Sequence, residues 1–318
     1  MLVETPDIPV AQEAITAGRV RYIKLGAGGS WEEECLAQSY IRYGFNSGTA
    51  ERYPICLKGD WDRLRDSFLA EGCNARTATN FTNETRFFFE DAGETLWITF
   101  VGERLLWGKL TPDAPVPHPE GNSVVRKIDG GWCDTDLNGE QLRKDNLSGA
   151  LTKVVGYKGT SCNVDLKDYV LRRVNGLKVP EVERGIAAFG EMTAATLGMI
   201  RLLGPKDFEI LVDLIFSTSG WRRLGVVGKT QKTLDLDLIL PSTGERAFVQ
   251  VKSRTDSKQL ADYVSRIDDA DEFSRMFYVY HTGHAETNDQ RVVVIGPEKV
   301  AEMAVEAGLV GWLIRKVS

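Results

Sequence analysis

The stretch LDLDLILPSTGERAFVQVKS, residues 234–253, contains two runs with the two-residue alternation that is typical of β-strands. In the first run Asp235 and Asp237 share one face, and leucines share the other. In the second run valines occupy one face, while Gln250 and Lys252 lie on the opposite one. The intervening PSTGE is long enough to bring the two strands side by side. With the leucines and valines turned toward a core, the sequence predicts that the acids, the amide and the lysine meet on one polar face.

The chemistry of these side chains suits a hard divalent cation. Asp237 offers a carboxylate and Gln250 an amide oxygen, and Mg²⁺ takes oxygen ligands. Lys252 is a compact cation that can orient or deprotonate a water, or stabilise negative charge that builds on a phosphate. Glu209, on a predicted upstream helix, is expected to lean over the same cluster, as is Asp213 one turn later. We therefore predict a Mg²⁺ site that also accepts Mn²⁺, with Asp237, Gln250 and Glu209 as ligands and Lys252 beside them.

The charge around this motif differs from that of the whole chain, which carries a formal net charge of −6. Residues 222–258 contain eight Lys and Arg against four Asp and Glu. A local positive field can hold the phosphates of a polyanion such as DNA, although an ordinary solvated surface has the same composition. The basic residues predicted to contact DNA are Arg222, Arg223, Lys229, Lys232, Arg254 and Lys258.

The periodicity of the C-terminal part predicts the element order ααβββαββα, a mixed sheet flanked by helices. Helices are expected over 182–200, from Pro205 to Gly220, over 256–273 and from Pro297; strands are expected over 222–227, 234–240, 246–252, 275–281 and 291–296. The charged, Gly- and Pro-containing segment 171–185 separates this part from the preceding one. We therefore predict two domains, 1–175 and 176–318.

Three segments carry a resemblance to a known family, in this order: DFE (207–209), LDLDLIL (234–240) and VQVKS (249–253). They resemble the motifs of the Mrr-like restriction endonuclease branch of the PD-(D/E)XK nuclease superfamily, over about residues 200–285. The resemblance implies a metal-dependent DNA endonuclease with Asp237, Gln250 and Lys252 as its catalytic core and Glu209 in support. The branch often has DGGxD before its second acid. Here the run is TLDLD, and the spacing to Gln250 favours Asp237.

Two alternatives to a DNA endonuclease remain open at this stage. In the first, the nuclease-like domain is inactive and serves as a platform that binds DNA. In the second, the enzyme acts on RNA or branched DNA. Cutting both strands of a duplex usually needs two active sites, so we expect a homodimer.

The first 175 residues are predicted to form a separate mixed α/β domain. Strands are expected at 21–25 and 40–45, and a β-hairpin with a two-residue turn is expected to join 95–101 to 104–110. In outline this order is similar to PUA-like domains such as the EVE and SRA modified-base readers. That similarity implies a domain that directs the enzyme to modified DNA, which suits a restriction or defence role.

Aromatic side chains of this domain are candidates for stacking on a base, and the alternative for each is an ordinary core position. The candidates are Trp31, Tyr43, Trp97 and Trp107. The segment GAGGS (26–30) has neither of the common glycine-rich phosphate-binding patterns. We predict instead that Ser30 caps the following helix.

Several classes of protein are not favoured by the composition. The five cysteines and three histidines show no zinc-ligand spacing, so free thiols in a reducing compartment are expected. No apolar run is long enough to span a membrane, and the N-terminus has no signal-peptide pattern. We therefore expect a cytoplasmic protein.

Overall fold

The computed structural model describes residues 13–224, 235–264 and 275–318. The chain divides into two compact units between Lys178 and Val179. Lys229 and Lys232, two of the predicted DNA contacts, lie outside the described residues. No helix in the described ranges is long and apolar enough to cross a membrane.

The first unit contains six helices and seven strands within its described residues. The helices are α1 Glu32–Ala37, α2 Arg52–Leu57, α3 Trp61–Ala70, α4 Ala75–Phe89, α5 Gly149–Thr152 and α6 Lys167–Val174. The strands are β1 Arg19–Ile23, β2 Tyr40–Tyr43, β3 Thr95–Val101, β4 Arg104–Lys109, β5 Val116–Pro117, β6 Val124–Lys127 and β7 Ser161–Asn163.

Two sheets organise this unit. One has the order β4-β3-β1-β7 and is mixed, because β1 runs parallel to β3 and antiparallel to β7. The other is antiparallel, with the order β2-β6-β5. The predicted hairpin is confirmed as β3 and β4, and Trp107 lies opposite Ile98. The capping prediction is wrong, since α1 starts after Trp31 and has no side-chain cap.

The second unit has a single described sheet flanked by helices. Its helices are α7 Pro180–Ile200, α8 Pro205–Thr218, α9 Ser257–Val264, α10 Pro297–Glu306 and α11 Val310–Val317. Its strands are β8 Arg222–Arg223, β9 Leu236–Leu240, β10 Glu245–Lys252, β11 Arg275–Tyr280 and β12 Val292–Ile295. The helices α7, α8 and α10 each have a proline in the first turn, where the missing N–H costs no hydrogen bond. The C-terminal helix α11 is the one described element of this unit that the sequence prediction omitted.

The sheet of the second unit has the order β12-β11-β10-β9-β8. Strands β10, β11 and β12 are parallel, whereas β9 is antiparallel to both of its neighbours. The C-terminal ends of the three parallel strands and the N-terminal end of β9 therefore lie along one edge, which we call the carboxyl edge. Ligands of open α/β sheets commonly bind at such an edge.

The two faces of this sheet have different cores. The valine face of β10 packs against α8, α10 and α11 through residues such as Val249, Phe208 and Ala301. The opposite face is covered by α9, where Leu260 packs with aromatic side chains including Tyr278. The predicted polar face of β10 is thus largely enclosed, and Gln250 is 2% exposed.

Candidate active site

Asp235 accepts a hydrogen bond from the buried side chain of Gln250. The Gln250 amide nitrogen Nε2 donates to Oδ2 of Asp235, and the backbone N–H of Val251 donates to the same oxygen at 2.7 Å. Asp235 immediately precedes β9 and directly follows residues outside the described part of the chain. The pair therefore stands at the carboxyl edge, where β10 ends and β9 begins.

Asp237, the acid predicted from spacing, is not beside Gln250. The strand register places Asp237 opposite Phe248, and Leu240 lies opposite Glu245. Continuing that register by two residues puts Asp235 opposite Gln250. Asp237 instead accepts a hydrogen bond from Nη2 of Arg246 at 2.9 Å, in a partly exposed ion pair. Both aspartates share one face, and the length of the turn decides which of them lies opposite the glutamine. The Oδ1 atom of Asp237 is also buried without a hydrogen-bond partner among the described residues, so its role as a metal ligand stays a prediction.

Lys252 lies two residues beyond Gln250 on the same face, at the end of β10. Its Nζ is 5.1 Å from the centre of the Tyr263 ring, a cation–π contact. Within the described ranges the Lys252 side chain makes no hydrogen bond or ion pair, and it is half-buried. A cation placed this way is available to an anionic group brought to the edge.

Tyr278 lies beside Gln250 on the parallel neighbour β11. Burial raises the pKa of Tyr278 above its usual value of 10, and its hydroxyl lies 2.5 Å from Oγ1 of Thr255. The phenol is therefore neutral at physiological pH. It contributes packing and a hydrogen bond to this face rather than a charge.

Glu209 and Asp213 lie on α8, which packs on the valine face. In the described part of the chain, no hydrogen bond or ion pair joins Glu209 to Asp235 or Gln250. Asp213 is 3.8 Å from Arg223 of β8. The role of Glu209 as a ligand therefore stays a prediction.

The basic residues predicted to contact DNA fall into two groups. Arg222 and Arg223 form the edge strand β8, and Arg223 is engaged with Asp213. Arg254 and Lys258 are exposed just beyond the end of β10, on the carboxyl edge near Lys252. Contact of either group with DNA stays a prediction.

The fit of a divalent cation can be tested against this donor set. The Gln250 Oε1 atom is buried and has no hydrogen-bond partner among the described residues. The Asp235 carboxylate beside it uses only Oδ2 for the hydrogen bonds that the described residues supply. Across those same residues, no three His, Cys, Asp and Glu side chains gather around one point. Two side-chain oxygens thus suit a hard cation, and backbone, substrate or water oxygens must complete its shell.

Three of the four base-stacking candidates are core residues. Tyr43 and Trp97 are fully buried and Trp107 nearly so. Tyr43 stacks on Phe88 with ring centres 4.7 Å apart, and Trp97 donates from Nε1 to Oδ2 of Asp91 at 2.7 Å. An enclosed ring with its polar atom already satisfied has no face to offer a base. The continuous apolar run TLWITFV around Trp97 was the sequence signal, because it is typical of a strand covered on both sides.

Trp31, the fourth candidate, lines a cavity of about 450 Å³ in the first unit. Phe45 and Phe81 line it as well, with their ring centres 4.4 Å apart. One side of the Trp31 indole is covered by the Arg42 guanidinium, 4.4 Å from the ring centre. Gly26 also borders the cavity, and a Cβ there would come within 2.9 Å of the indole. Aromatic rings and bare backbone of this kind suit a small planar group.

The backbone at one wall of this cavity is strained. Phe45 and the following Asn46 both have left-handed conformations, with φ of 60° and 55°. Residues other than glycine rarely adopt this region, and such strain is concentrated at binding sites. Phe45 and Phe81 were not among the predicted residues, and their separation along the chain gave no local signal that they meet.

Comparisons with known proteins add little to this geometry. No family model matches this sequence, and no curated protein matches it. Among solved structures, the chain is similar to the MspJI restriction endonuclease in complex with a 27-mer oligonucleotide. The two are 15% identical with a TM-score of 0.26, and the match covers 89% of this chain and 73% of that chain. A likeness this low does not establish a shared fold.

Proposed function

We propose that the second unit is a Mg²⁺-dependent endonuclease that hydrolyses phosphodiester bonds in DNA. The observation that carries this proposal is the buried Gln250 amide bound to Asp235, whose Oε1 has no partner among the described residues, two residues before Lys252 on the same face. Structural polar groups this deeply buried are normally satisfied. An orphaned acceptor next to a carboxylate and a lysine is what a metal and phosphate site requires.

The roles of the side chains follow from their chemistry. Asp235 and Gln250 would hold the cation through Oδ1 and Oε1, and the cation would polarise the scissile phosphate when bound. The backbone N–H of Val251 and the Gln250 amide fix the orientation of Asp235. Lys252 stabilises the negative charge that grows on the phosphoryl oxygens as water attacks phosphorus and the P–O bond to the leaving oxygen breaks.

We further propose that the first unit directs this activity by holding a base in the cavity formed by Trp31, Phe45 and Phe81. Stacking on aromatic rings is how proteins hold an extruded base. The bare backbone at Gly26 can approach the hydrogen-bonding edge of such a base. A modified base is the expected ligand, and the PUA-like architecture remains a proposal.

A cleavage screen tests the whole proposal. The full chain is incubated with Mg²⁺ or Mn²⁺ and DNAs that differ only in cytosine or adenine modification. We expect cutting of at least one modified DNA and its loss on chelation of the metal. RNA and branched DNA at the same salt concentration form a parallel arm, and preferential cutting of either would contradict DNA duplex as the substrate.

A binding platform without catalysis is the second candidate function. The observation that favours it is the small number of acidic side chains at the site, with no cluster of three among the described residues. Calorimetric titration with Mg²⁺ and Mn²⁺ separates the two functions. Tight DNA binding without metal uptake, and without cutting of any DNA in the screen, would support the platform.

Replacement of Trp31 by alanine is expected to reduce discrimination between modified and unmodified DNA. Base stacking on an aromatic side chain contributes about 1–3 kcal/mol, so the preference should fall roughly 5- to 150-fold. The measurement is the ratio of dissociation constants for two duplexes that differ in one base. Trp31→Phe should retain most of the preference, because a ring remains.

Trp61→Ala is the matched control for this experiment. Trp61 is a half-buried tryptophan of the same unit that donates to Glu90 and does not line the cavity. Its loss should leave the ratio unchanged. An equal fall in both tryptophan variants would mean that general destabilisation, and not stacking, explains the effect.

A further inference from the structure

A second cavity, of about 540 Å³, lies on the carboxyl edge of the second unit. It is formed where β11 ends, where α7 ends and where α10 begins. The side chains that matter for its chemistry are Arg201, Tyr280, His281, His284 and Glu298. None of them was singled out by the sequence patterns.

His281 is the most informative of these groups. It is 5% exposed, its ring packs edge-on against Phe208, and its Nε2 is buried without a hydrogen-bond partner among the described residues. Burial, with the nearby positive charge of Arg201, lowers the pKa of His281 below its usual value of 6.5. Nδ1 lies 3.0 Å from Oγ1 of Thr282. His281 lines the cavity, and when Nδ1 accepts that hydroxyl's hydrogen the neutral ring carries its proton on Nε2, as a donor.

Two further donors border the same space. Arg201 is exposed, and its side chain makes no hydrogen bond or ion pair within the described parts of the chain. The ten-residue helix α10 begins here after Gly296 with no side-chain cap. The first N–H groups of a helix lack partners and carry partial positive charge, which favours an anion.

The opposing charge at the site is Glu298, an exposed residue in the first turn of α10. His284 is also exposed and is paired with Glu286 at 3.1 Å. The cavity therefore combines several donors with one carboxylate at its rim. That balance is suited to an anion held by additional contacts elsewhere, since a free anion would bind weakly against Glu298.

The position of the cavity relative to Lys252 suggests what that anion is. Tyr280, which lines the cavity, is the direct neighbour of Lys252 on the adjacent parallel strand. Adjacent strands lie about 4.8 Å apart, and successive nucleotides of one DNA strand advance about 3.4 Å along the helix axis. A single DNA strand can therefore reach both positions.

We infer that this cavity binds a backbone phosphate of the DNA strand that is cut, close to the scissile phosphate and separate from it. The donors are Nε2 of His281, the guanidinium of Arg201 and the first N–H groups of α10. The inference rests on the proposed nuclease function for its choice of ligand. The group binds as part of a polymer already held by Lys252, so that the cavity fixes the register of the strand.

The test is DNA binding by the full chain with Lys252 intact, without metal so that no cleavage occurs, on a short mixed-sequence duplex with modified cytosine. Adding Arg201→Ala should weaken binding and lower the slope of log K against log salt by about 1, the signature of one lost phosphate contact. Adding Glu298→Gln should strengthen binding. Arg315→Ala is the matched control, because Arg315 is an exposed arginine of the same unit outside the cavity.

A second variant and a second ligand complete the design. His281→Asn, checked for folding by its thermal transition, should also weaken binding, while inorganic phosphate should not compete at moderate concentrations. The inference is overturned if Arg201→Ala leaves the slope of log K against log salt unchanged. It is also overturned if Arg315→Ala lowers that slope as much as Arg201→Ala does. Strong competition by inorganic phosphate would assign the cavity to a free anion instead, and absence of DNA binding would also overturn it.

These outcomes are separable from those for the proposed function. Binding is measured without metal and without cleavage, so a failed cleavage screen does not decide this experiment. Conversely, cleavage that depends on Lys252 together with an unchanged slope in Arg201→Ala would retain the nuclease and remove the phosphate site.

Discussion

Lys252→Ala is expected to lower the rate of DNA cleavage by about 10²–10³-fold, the usual cost of removing a group that stabilises transition-state charge. The reason lies in the position of the ammonium group. It stands at the end of β10, on the face shared with Gln250, and is not committed to a carboxylate in the described structure. The measurement is the single-turnover cleavage rate at saturating Mg²⁺, on the DNA that the screen identifies.

The folded state should tolerate this change. The described contact of the Lys252 ammonium is with the Tyr263 ring, and an interaction of that kind contributes about 0.5–1 kcal/mol at exposed sites. The thermal transition should therefore move by only a few degrees. Lys252→Arg keeps the charge but not the compact shape, so we expect it to preserve DNA binding better than cleavage.

Lys206→Ala is the matched control for Lys252→Ala. Lys206 is an exposed lysine in the first turn of α8, outside the candidate site. Its loss changes the net charge by the same amount, so it corrects for the general attraction between protein and DNA. Cleavage by Lys252→Ala at the rate of the Lys206→Ala protein would remove Lys252 from the catalytic group.

Most helices and strands of the second unit could be predicted from the sequence, because the local signals agreed with one another. Alternating side chains located β9 and β10, and first-turn prolines located the starts of α8 and α10. The polar face of β10 was also predictable, since valines fill the other face. Its burial under α9 was not, because that depends on a helix that follows in the chain and packs back over the sheet.

Features that depend on distant contacts were outside the reach of sequence patterns. The cavity around Trp31 is formed by segments that are far apart in the chain, and its strained wall at Phe45 has no compositional signal. His281 is a single histidine after a strand, and only its enclosure next to Arg201 makes it notable. Three of the four aromatic residues predicted to stack on a base, Tyr43, Trp97 and Trp107, are buried in the core of the first unit.

The choice between Asp235 and Asp237 gives the second large prediction. Asp235→Asn is expected to reduce cleavage at least about 100-fold and to weaken Mg²⁺ binding, because it removes the carboxylate bound to the Gln250 amide, whose oxygen has no partner among the described residues. The asparagine can still accept a hydrogen bond from the Val251 N–H, so the strand ends should keep their geometry. Cleavage rates across a Mg²⁺ titration provide the measurement.

Asp237→Asn is the matched comparison, since it makes the same chemical change two residues away on the same face. Asp237 is paired with Arg246, and both side chains are about one-third exposed, at 30% and 33%. Ion pairs of this exposure contribute about 0–1 kcal/mol to folding, so its loss should leave cleavage within a few-fold of the parent protein. If Asp237 is the metal ligand, the opposite result is expected: Asp237→Asn would be inactive and Asp235→Asn would remain active. Equal loss in both variants would contradict a single acid, and would mean that the cation lies between the two aspartates on the polar face that they share.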